Sequence, residues 1–460
     1  MNYLLAIISG AIASTSFAPF SFWPAAFIAL ALWYYLLLKS KIISRLLISY
    51  LFGLGLLLPT QQWTGIYVGN APWLALCFMQ AIFFIVPAFF VGKGRRFNQF
   101  TFATSYVLVE LLLRTLPFTG FGWSRLGFTQ IDSPLSPLYP SGGVVLLTFF
   151  IACLSSARSL KSLAALITIG FVFTLLPGTN ITNEKIKVAL VQGGVGKLGL
   201  DFNSKPQEVF LRHLKQSGDS IKADQVDLII WPENAVDVDV NSVSTVRESI
   251  IAQSKALKTP ILIGGVTKST KGPQNQSILF NPDLKQVYTK RYLTPFGEYL
   301  PMRSVASRFS QYANQVDDFV GGESDTVFKI GKVTFQSLIC YEILDDALRD
   351  EIQSDFLVVQ TNNATFGDTA QLDQELNIAR VRAAESGRYI PYVSTTGVTT
   401  LIDNRGNIIK DLPKFESATL FGEIEKVNGS TFTQVFGKYL EAIAIIWLLV
   451  ILALRRRGSR

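Results

Sequence analysis

Long apolar runs broken by short polar stretches fill the chain from Met1 to about Leu176. The pattern then turns mixed and polar from about Asn180 to Ser430, and a last apolar run covers roughly Phe436 to Leu454. A helix needs about 20 apolar residues to cross a hydrocarbon layer, about 17 at the short end. Eight candidates follow: 3–18, 21–38, 42–60, 71–92, 98–116, 142–156, 160–177 and 436–454, of which the first and sixth are short. Ala11-Ile12-Ala13 resembles a leader cleavage site. Met1-Asn2-Tyr3 lacks the basic start of a leader, however, and a second span follows at once, so an uncleaved helix is expected.

The middle segment reads differently. Short runs at Lys187–Gln192, Asp227–Trp231, Pro260–Gly264, Ser277–Phe280, Val333–Ile339, Phe356–Gln360, Tyr392–Ser394 and Thr399–Ile402 have strand character, and polar helical patterns fall at about 204–218, 241–257, 344–352 and 369–387. Their alternation predicts a layered α/β domain. The expected organisation is therefore a membrane domain over 1–178 with seven helices, an α/β domain over 184–430, a terminal membrane helix over 436–454 and a basic tail over 455–460.

Composition agrees. Of 460 residues 49% are apolar and 17% charged, and the mean hydropathy is +0.32; a soluble protein carries about 25% charged residues. Disorder, collagen and a disulfide scaffold are excluded. Short cytoplasmic loops retain Lys and Arg. With the amino terminus inside, the inner segments hold Lys39, Lys41 and Arg45, then Lys93, Arg95 and Arg96, then Arg158 and Lys161, then Arg455, Arg456, Arg457 and Arg460, with no acid among them. The outer segment 61–70 holds no cation and 117–141 holds only Arg125. Both termini are thus expected in the cytoplasm and the 184–430 domain outside it. Setting those twelve cations aside from the 42 leaves 30 basic against 34 acidic residues, so the formal charge of +8 is a topological signal and nucleic acid has no support as a partner.

Cys77 and Cys153 lie in apolar runs, where burial is the ordinary fate of the residue. Cys340 is the one thiol of the exported domain, with no partner for a disulfide within it and no zinc spacing around it. It sits where the strand Ser337-Leu338-Ile339 gives way to Tyr341 and Glu342, and is read either as a core thiol or as a nucleophile. The single histidine, His213, lies among Arg212 and Lys215 and is expected on a solvated helix face, so a histidine-based triad has little footing. A carboxylate or amine must then do any proton work. Two strand ends offer these: Trp231-Pro232-Glu233, and the stretch from Tyr288 to Pro301 with Lys290 and Glu298 around a Pro/Gly turn. On local pattern alone, either is equally readable as a surface salt-bridge group.

Trp231-Pro232-Glu233, Lys290 with Pro295-Phe296-Gly297-Glu298, and Cys340-Tyr341-Glu342, in this order, resemble the Glu, Lys and Cys motifs of the nitrilase (carbon–nitrogen hydrolase) superfamily. Phe17-Ala18-Pro19-Phe20, Phe22-Trp23-Pro24, Phe118-Thr119-Gly120-Phe121-Gly122-Trp123 and Leu126-Gly127-Phe128 resemble its membrane branch, the bacterial apolipoprotein N-acyltransferases. The resemblance implies a four-layer αββα domain beside about eight membrane helices, in a multi-pass protein of the bacterial cell membrane. It implies transfer of an acyl chain from a phospholipid such as phosphatidylethanolamine, through a Cys340 thioester, to the α-amino group of a diacylglyceryl apolipoprotein, with no metal or soluble cofactor. Glu233 would be the base and Lys290 would stabilise the oxyanion. Glu298 would hold Lys290, the Tyr341 backbone N–H would be a second oxyanion donor, and Glu342 would orient the Cys340 turn. Phe296, Tyr299, Leu300 and the Phe366 loop are expected to face the lipid.

The chain departs from the family pattern at four places, one of them the absence between Gln192 and Phe202 of the Trp often found after the first strand. Asn362-Asn363-Ala364-Thr365-Phe366-Gly367 stands where Asn-Asp-Ala-Trp-Phe-Gly is common, Ala370 to Glu375 lacks a customary His, and Ser394-Thr395-Thr396-Gly397 replaces Thr-Asn-Asn-Gly. Two rival functions are a membrane-tethered nitrilase-type amidase, in which water resolves the acyl-enzyme, and a transporter or receptor. Transport predicts ionisable groups in several spans, whereas Glu110 and Arg114 stand nearly alone. Those two, four apart, are expected either to pair on one helix face or to be solvated at the interface.

Overall fold

The computed structural model describes residues 1–66, 69–95, 97–199, 201–281, 284–301, 303–306 and 317–458. Arg96 and Arg460 of the inner cationic clusters lie outside them. The chain divides into two compact units, Met1–Gly178 with Thr431–Arg460, and Thr179–Ser430.

The first unit is helical. Its elements are α1 (Asn2–Ser14), α2 (Pro24–Lys39), α3 (Ile42–Thr60), α4 (Asn70–Ala81), α5 (Val86–Phe90), α6 (Asn98–Thr115), α7 (Tyr139–Ser155), α8 (Leu160–Phe173) and a terminal helix, Phe432–Gly458. A single 3-10 turn joins α4 to α5, so Asn70–Phe90 forms one apolar rod. Four helices are long and apolar enough to cross a membrane: Ile42–Thr60, Asn70–Phe90, Ser136–Ser155 and Phe432–Arg457; Asn2–Ser14, Pro24–Lys39 and Leu160–Phe173 are apolar but shorter. α1 packs on α3 through glycines: a Cβ on Gly10 would lie 2.7 Å from the Leu56 nitrogen, and one on Gly55 3.1 Å from the Ala11 nitrogen. Without side chains there, two backbones approach where no hydrophobic effect operates between helices in lipid. Trp33 anchors the interior, stacked on Phe52 at 4.2 Å and edge-on to Phe102 and Tyr106.

Glu110 and Arg114 do not pair. Glu110 points into the helices, where its Oε1 accepts from the Leu126 N–H at 2.8 Å, its Oε2 from Thr148 Oγ1 at 2.7 Å, and Arg125 Nε lies 3.6 Å away. Arg114 turns to Glu441 of the terminal helix. Burial decides this: each charge finds a separate, largely desolvated partner elsewhere in the unit, Arg125 in the loop before Leu126 and Glu441 on the terminal helix, where a pair is worth more than along a wet face.

The second unit holds two six-stranded sheets. The strands are β1 (Asn180–Gln192), β2 (Leu228–Ile230), β3 (Ile261–Ser269), β4 (Gly272–Asn281), β5 (Leu284–Thr289), β6 (Val327–Ile330), β7 (Val333–Ile339), β8 (Phe356–Thr361), β9 (Ile390–Ser394), β10 (Thr400–Ile402), β11 (Ile408–Asp411) and β12 (Ala418–Asn428). The sheet orders are β12-β1-β2-β3-β4-β5 and β11-β10-β9-β8-β7-β6. Period-two alternation builds the layers. Val188, Leu190, Leu228 and Ile230 face inward with Phe335, Ile339, Phe356 and Val358 of the other sheet. Ala189, Val191, Ile229 and Trp231 point outward onto Phe210 of α9 (Glu208–Ser220) and Val246 and Ile250 of α10 (Ser244–Leu257), and a short α11 (Arg303–Ala306) follows later in the chain. On the second sheet α13 (Ala370–Ser386) packs against β9. The eight strands expected from sequence are the eight interior ones; β5, β6, β11 and β12, which the apolar pattern does not reveal, are the four sheet edges. The expected helix over 344–352 is one 3-10 turn, Cys340–Leu344, followed by the short α12 (Asp346–Asp350).

A buried ion network ties that turn to α13. Arg382 donates to the Ile343 and Leu344 carbonyls and pairs with Asp346 at 2.7 Å and with Glu385, which Arg349 also approaches at 3.5 Å. Removing one partner leaves the others charged and dry, so Glu385→Ala is expected to cost about 3–5 kcal/mol. Thermal unfolding of the purified protein checks this, and an unchanged midpoint would show that the network does not tie the turn.

Candidate active site

β2 runs parallel to β1 and β3, and β8 parallel to β7 and β9, which brings the carboxyl ends of β2, β7 and β8 to one side of the paired sheets. Pro232 lacks the N–H that would extend the sheet, so the chain turns after Trp231 and delivers Glu233, 5% exposed. The neighbouring strand permits this because it is bare there: a Cβ on Gly264 would lie 2.6 Å from Glu233 Cα. Gln360 braces the turn, donating to the Trp231 carbonyl at 2.6 Å while its Oε1 accepts from Ser277 and Ser337 of the two sheets.

Lys290 follows β5 and is 1% exposed. Its ammonium lies 2.8 Å from Glu298 Oε2, 3.9 Å from Glu233 Oε1 and 3.2 Å from the Thr294 hydroxyl. The Glu298 carboxylate also accepts from the Thr294 N–H at 2.8 Å, so its own Pro/Gly turn holds it. Asn275 of β4 joins the two acids, its amide donating to Glu233 Oε1 at 2.7 Å and Glu298 Oε1 at 2.8 Å. The second Glu233 oxygen accepts from the Asn362 N–H at 2.9 Å. Burial raises the Glu233 carboxyl to about 7 against the pull of Lys290, with Glu298 adding to the rise. Burial alone would lower Lys290, but Glu298 and then Glu233 overcome it and hold the ammonium charged. Glu298 is lowered: burial opposes this, and Lys290 and Asn275 outweigh it.

Cys340 ends β7 with φ +51°, a strained conformation for a side-chain-bearing residue that turns the thiol out of the strand. Glu342 imposes the turn. Its Oε2 accepts from the Ile339 N–H at 2.8 Å, and its Oε1 accepts from Tyr288 Oη and the Arg291 N–H, each at 2.8 Å. Burial, then the charges of Glu233 and Glu375, hold the Cys340 thiol well above its ordinary value, with Lys290 and the Thr361 hydroxyl opposing. At rest it is a thiol, so a nearby base must remove its proton. Tyr341 follows in the same turn, partly buried.

Glu233, Lys290, Glu298 and Glu342 are thus buried, with Lys290 in the electrostatic reach of all three acids and of Cys340, and the surface salt-bridge reading fails. Asn275 and Glu375 were not singled out from sequence. Glu375, on α13, accepts from Thr361 Oγ1 at 2.8 Å, Asn363 Nδ2 at 2.6 Å and Gln371 Nε2 at 2.8 Å. Asn363 in turn accepts from Ser394 Oγ at 2.6 Å. Three of the departures from the family pattern therefore touch one another: Asn363, where an acid is common, lies against an acid at 375. That pairing was invisible along the chain because 12 residues separate the partners.

His213 is a correction. It is fully buried, its Nδ1 2.8 Å from the Val209 carbonyl and its ring 5.9 Å from Trp231. Burial lowers it to about 4, so it is neutral. The i, i+4 row Val209, His213, Ser217 is the buried face of α9, and the charged neighbours Glu208 and Arg212 pair on the wet face at 3.0 Å. Leu300 is buried and unavailable to lipid, whereas Phe296 is 58% exposed and Tyr299 and Phe366 are partly so. Among the described residues no group of three or more His, Cys, Asp and Glu side chains can hold a metal ion.

A thiol, a carboxyl and an ammonium gathered at the carboxyl ends of two facing sheets define a nitrilase-type hydrolase or acyltransferase. Residues 187–431 match the carbon-nitrogen hydrolase family, and residues 9–157 the apolipoprotein N-acyltransferase N-terminal domain. The chain belongs to the carbon-nitrogen hydrolase family, in its apolipoprotein N-acyltransferase branch. It is 29% identical to the apolipoprotein N-acyltransferase of Coxiella burnetii, covering 98% of this chain and 99% of that protein. It is 28% identical to that of Haemophilus influenzae, over 98% and 94% respectively. A solved carbon-nitrogen hydrolase superfamily protein from Xanthomonas campestris aligns with a TM-score of 0.40 at 16% identity, covering 52% of this chain and 91% of that one.

Asn275 lowers the Glu233 carboxyl by donating to it. In Asn275→Ala the titration of Glu233 is expected to move above about 7. The pH dependence of Cys340 alkylation by iodoacetamide checks this, and a midpoint that stays put or falls would remove Asn275 from the site.

Proposed function

We propose that the chain moves an acyl group from a phospholipid to the α-amino group of the S-diacylglyceryl cysteine of an apolipoprotein, through a thioester on Cys340. The observation that carries the reading is the buried pair Glu233 and Lys290 beside the partly buried Cys340, in a chain whose other unit contains four long apolar helices. In the first half-reaction Glu233 takes the Cys340 proton as sulfur bonds to the ester carbonyl carbon. The oxyanion forms beside the Lys290 ammonium, with the Tyr341 N–H as a second donor. Collapse breaks the ester bond, and the departing lysophospholipid oxygen takes the proton back from Glu233. In the second, Glu233 accepts a proton from the incoming amine, nitrogen bonds to the thioester carbon, and the sulfur leaves and is reprotonated. Glu298 holds Lys290 cationic throughout, and Glu342 holds the turn.

The membrane setting follows from the substrates. Moving a fourteen-carbon chain into water costs roughly 11 kcal/mol at about 0.8 kcal/mol per methylene, so the site must meet the lipid where it lies. The arrangement we favour has eight spans, both termini cytoplasmic, and residues 184–430 as an extracytoplasmic catalytic domain between the helical segment 1–178 and the helix 436–454. The inner cationic clusters support it.

Intact mass after exposure to phospholipid is expected to rise by one acyl group. The adduct should be removed by neutral hydroxylamine and absent in Cys340→Ser; no gain in active lipid would sink the proposal. With a diacylglyceryl peptide present, the acyl group should reach the peptide, whereas free fatty acid alone would mean a hydrolase. Because the base must be ionised to act, the rate should rise with pH through about 7, the value to which burial brings Glu233. Glu233→Gln should cost about 10²–10⁴-fold and Lys290→Met about 10²–10³-fold in acyl-enzyme formation, read by single-turnover kinetics.

A further inference from the structure

Three arginines from separate parts of the first unit converge on one helix end. Arg45, in the first turn of α3, donates from Nη1 to the carbonyls of Ala88, at 3.4 Å, and Val91. Arg95 donates to the Phe89 carbonyl at 2.7 Å and to that of Val91 at 3.4 Å. Arg455, in the last turn of the terminal helix, donates to the carbonyls of Phe89, at 3.2 Å, and Phe90. The acceptors close the apolar rod Asn70–Phe90.

Among the described residues no carboxylate pairs with any of the three, and the stretches 39–45, 89–98 and 447–457 contain no Asp or Glu. Arg45 is 9% exposed and its Nε is buried with no acceptor. Burial, then the charges of Arg455 and Arg45, lower Arg95 to about 10. A helix carboxyl end supplies about half a negative charge, against three full positive ones, so most of the cationic charge is uncompensated by protein. Guanidinium groups left dry without an anion are costly, and their donor forks match phosphate oxygens. Arg45 and Arg455 sit in the end turns of apolar helices and Arg95 in the loop that follows α5, positions at which the basic residues of membrane proteins meet lipid headgroups.

We propose that Arg45, Arg95 and Arg455 form a binding site for the phosphate of an anionic phospholipid, seated at the carboxyl end of α5. On the topology favoured above this lipid belongs to the cytoplasmic leaflet, so the site is separate from the acyl donor's. The anion completes a cluster the protein leaves positive and ties α3, α5 and the terminal helix together through one headgroup.

The test is native mass spectrometry of the full-length protein in detergent with equimolar phosphatidylglycerol and phosphatidylcholine. The wild-type protein is expected to retain phosphatidylglycerol selectively. Each guanidinium is expected to contribute about fivefold, so Arg95→Gln/Arg455→Gln, which leaves the buried Arg45 in place, should lose roughly 25-fold of that selectivity. Arg158→Gln, a basic change outside the cluster, should lose none. Equal retention of the two lipids by the wild type would overturn the proposal without reference to any variant. So would full selectivity in the double variant, or an equal loss in Arg158→Gln. Complete displacement of phosphatidylglycerol by millimolar inorganic phosphate would assign the site to free phosphate and overturn the lipid reading.

Discussion

The buried ammonium of Lys290 is the charge on which the site's electrostatics depend. Three carboxyl groups, on Glu233, Glu298 and Glu342, lie in its field within a desolvated pocket. One cation cannot fully neutralise three acids where water is excluded. Glu298, closest and also bonded by Asn275 and the Thr294 N–H, takes the ion pair and stays ionised. Glu233, farther off at 3.9 Å, is left with a carboxyl near 7. The distance difference thus separates a carboxylate that stays ionised from one that titrates near neutrality among residues of the same type. Glu342 spends its two oxygens on backbone and Tyr288 donors and so serves the geometry of the Cys340 turn.

The same rule operates in the helical unit with different partners. A charge inside a bundle of apolar helices is tolerated when another segment supplies its complement, as Arg125 does for Glu110 and Glu441 for Arg114. Each such pair also joins elements that shape alone would leave free to slide. The arginines around α5 follow the rule with backbone carbonyls in place of a carboxylate, which is why they remain strongly positive.

Legibility followed burial. The eight interior strands carry apolar side chains that the sheet-on-sheet core demands, so they stand out along the chain. β11, Ile408–Asp411, is exposed at every position, and β5 mixes Lys and Gln with Val and Tyr, because an edge strand has fewer neighbours to satisfy. The site residues visible in sequence share a local signature: each follows a strand and sits by a turn. Asn275 lies within β4 and Glu375 within α13, where nothing local marks them. His213 misled for the converse reason. Its immediate neighbours are charged, while the i, i+4 row that buries it needs the helix to be seen in the round.

By itself the sequence determined which segments are apolar and helical, which segments form the interior strands, and the turns that present Glu233, Lys290 and Cys340. These are properties of a residue and its near neighbours, set by hydrophobic period, by proline's missing N–H and by the glycine a close approach requires. The tertiary structure alone decided which acid is paired and which is free to titrate, that Asn275 bridges them, that Glu110 answers Arg125, and that three distant arginines meet. Those outcomes depend on distances across the fold and on the removal of water between groups, and neither quantity is written in the order of residues along a chain.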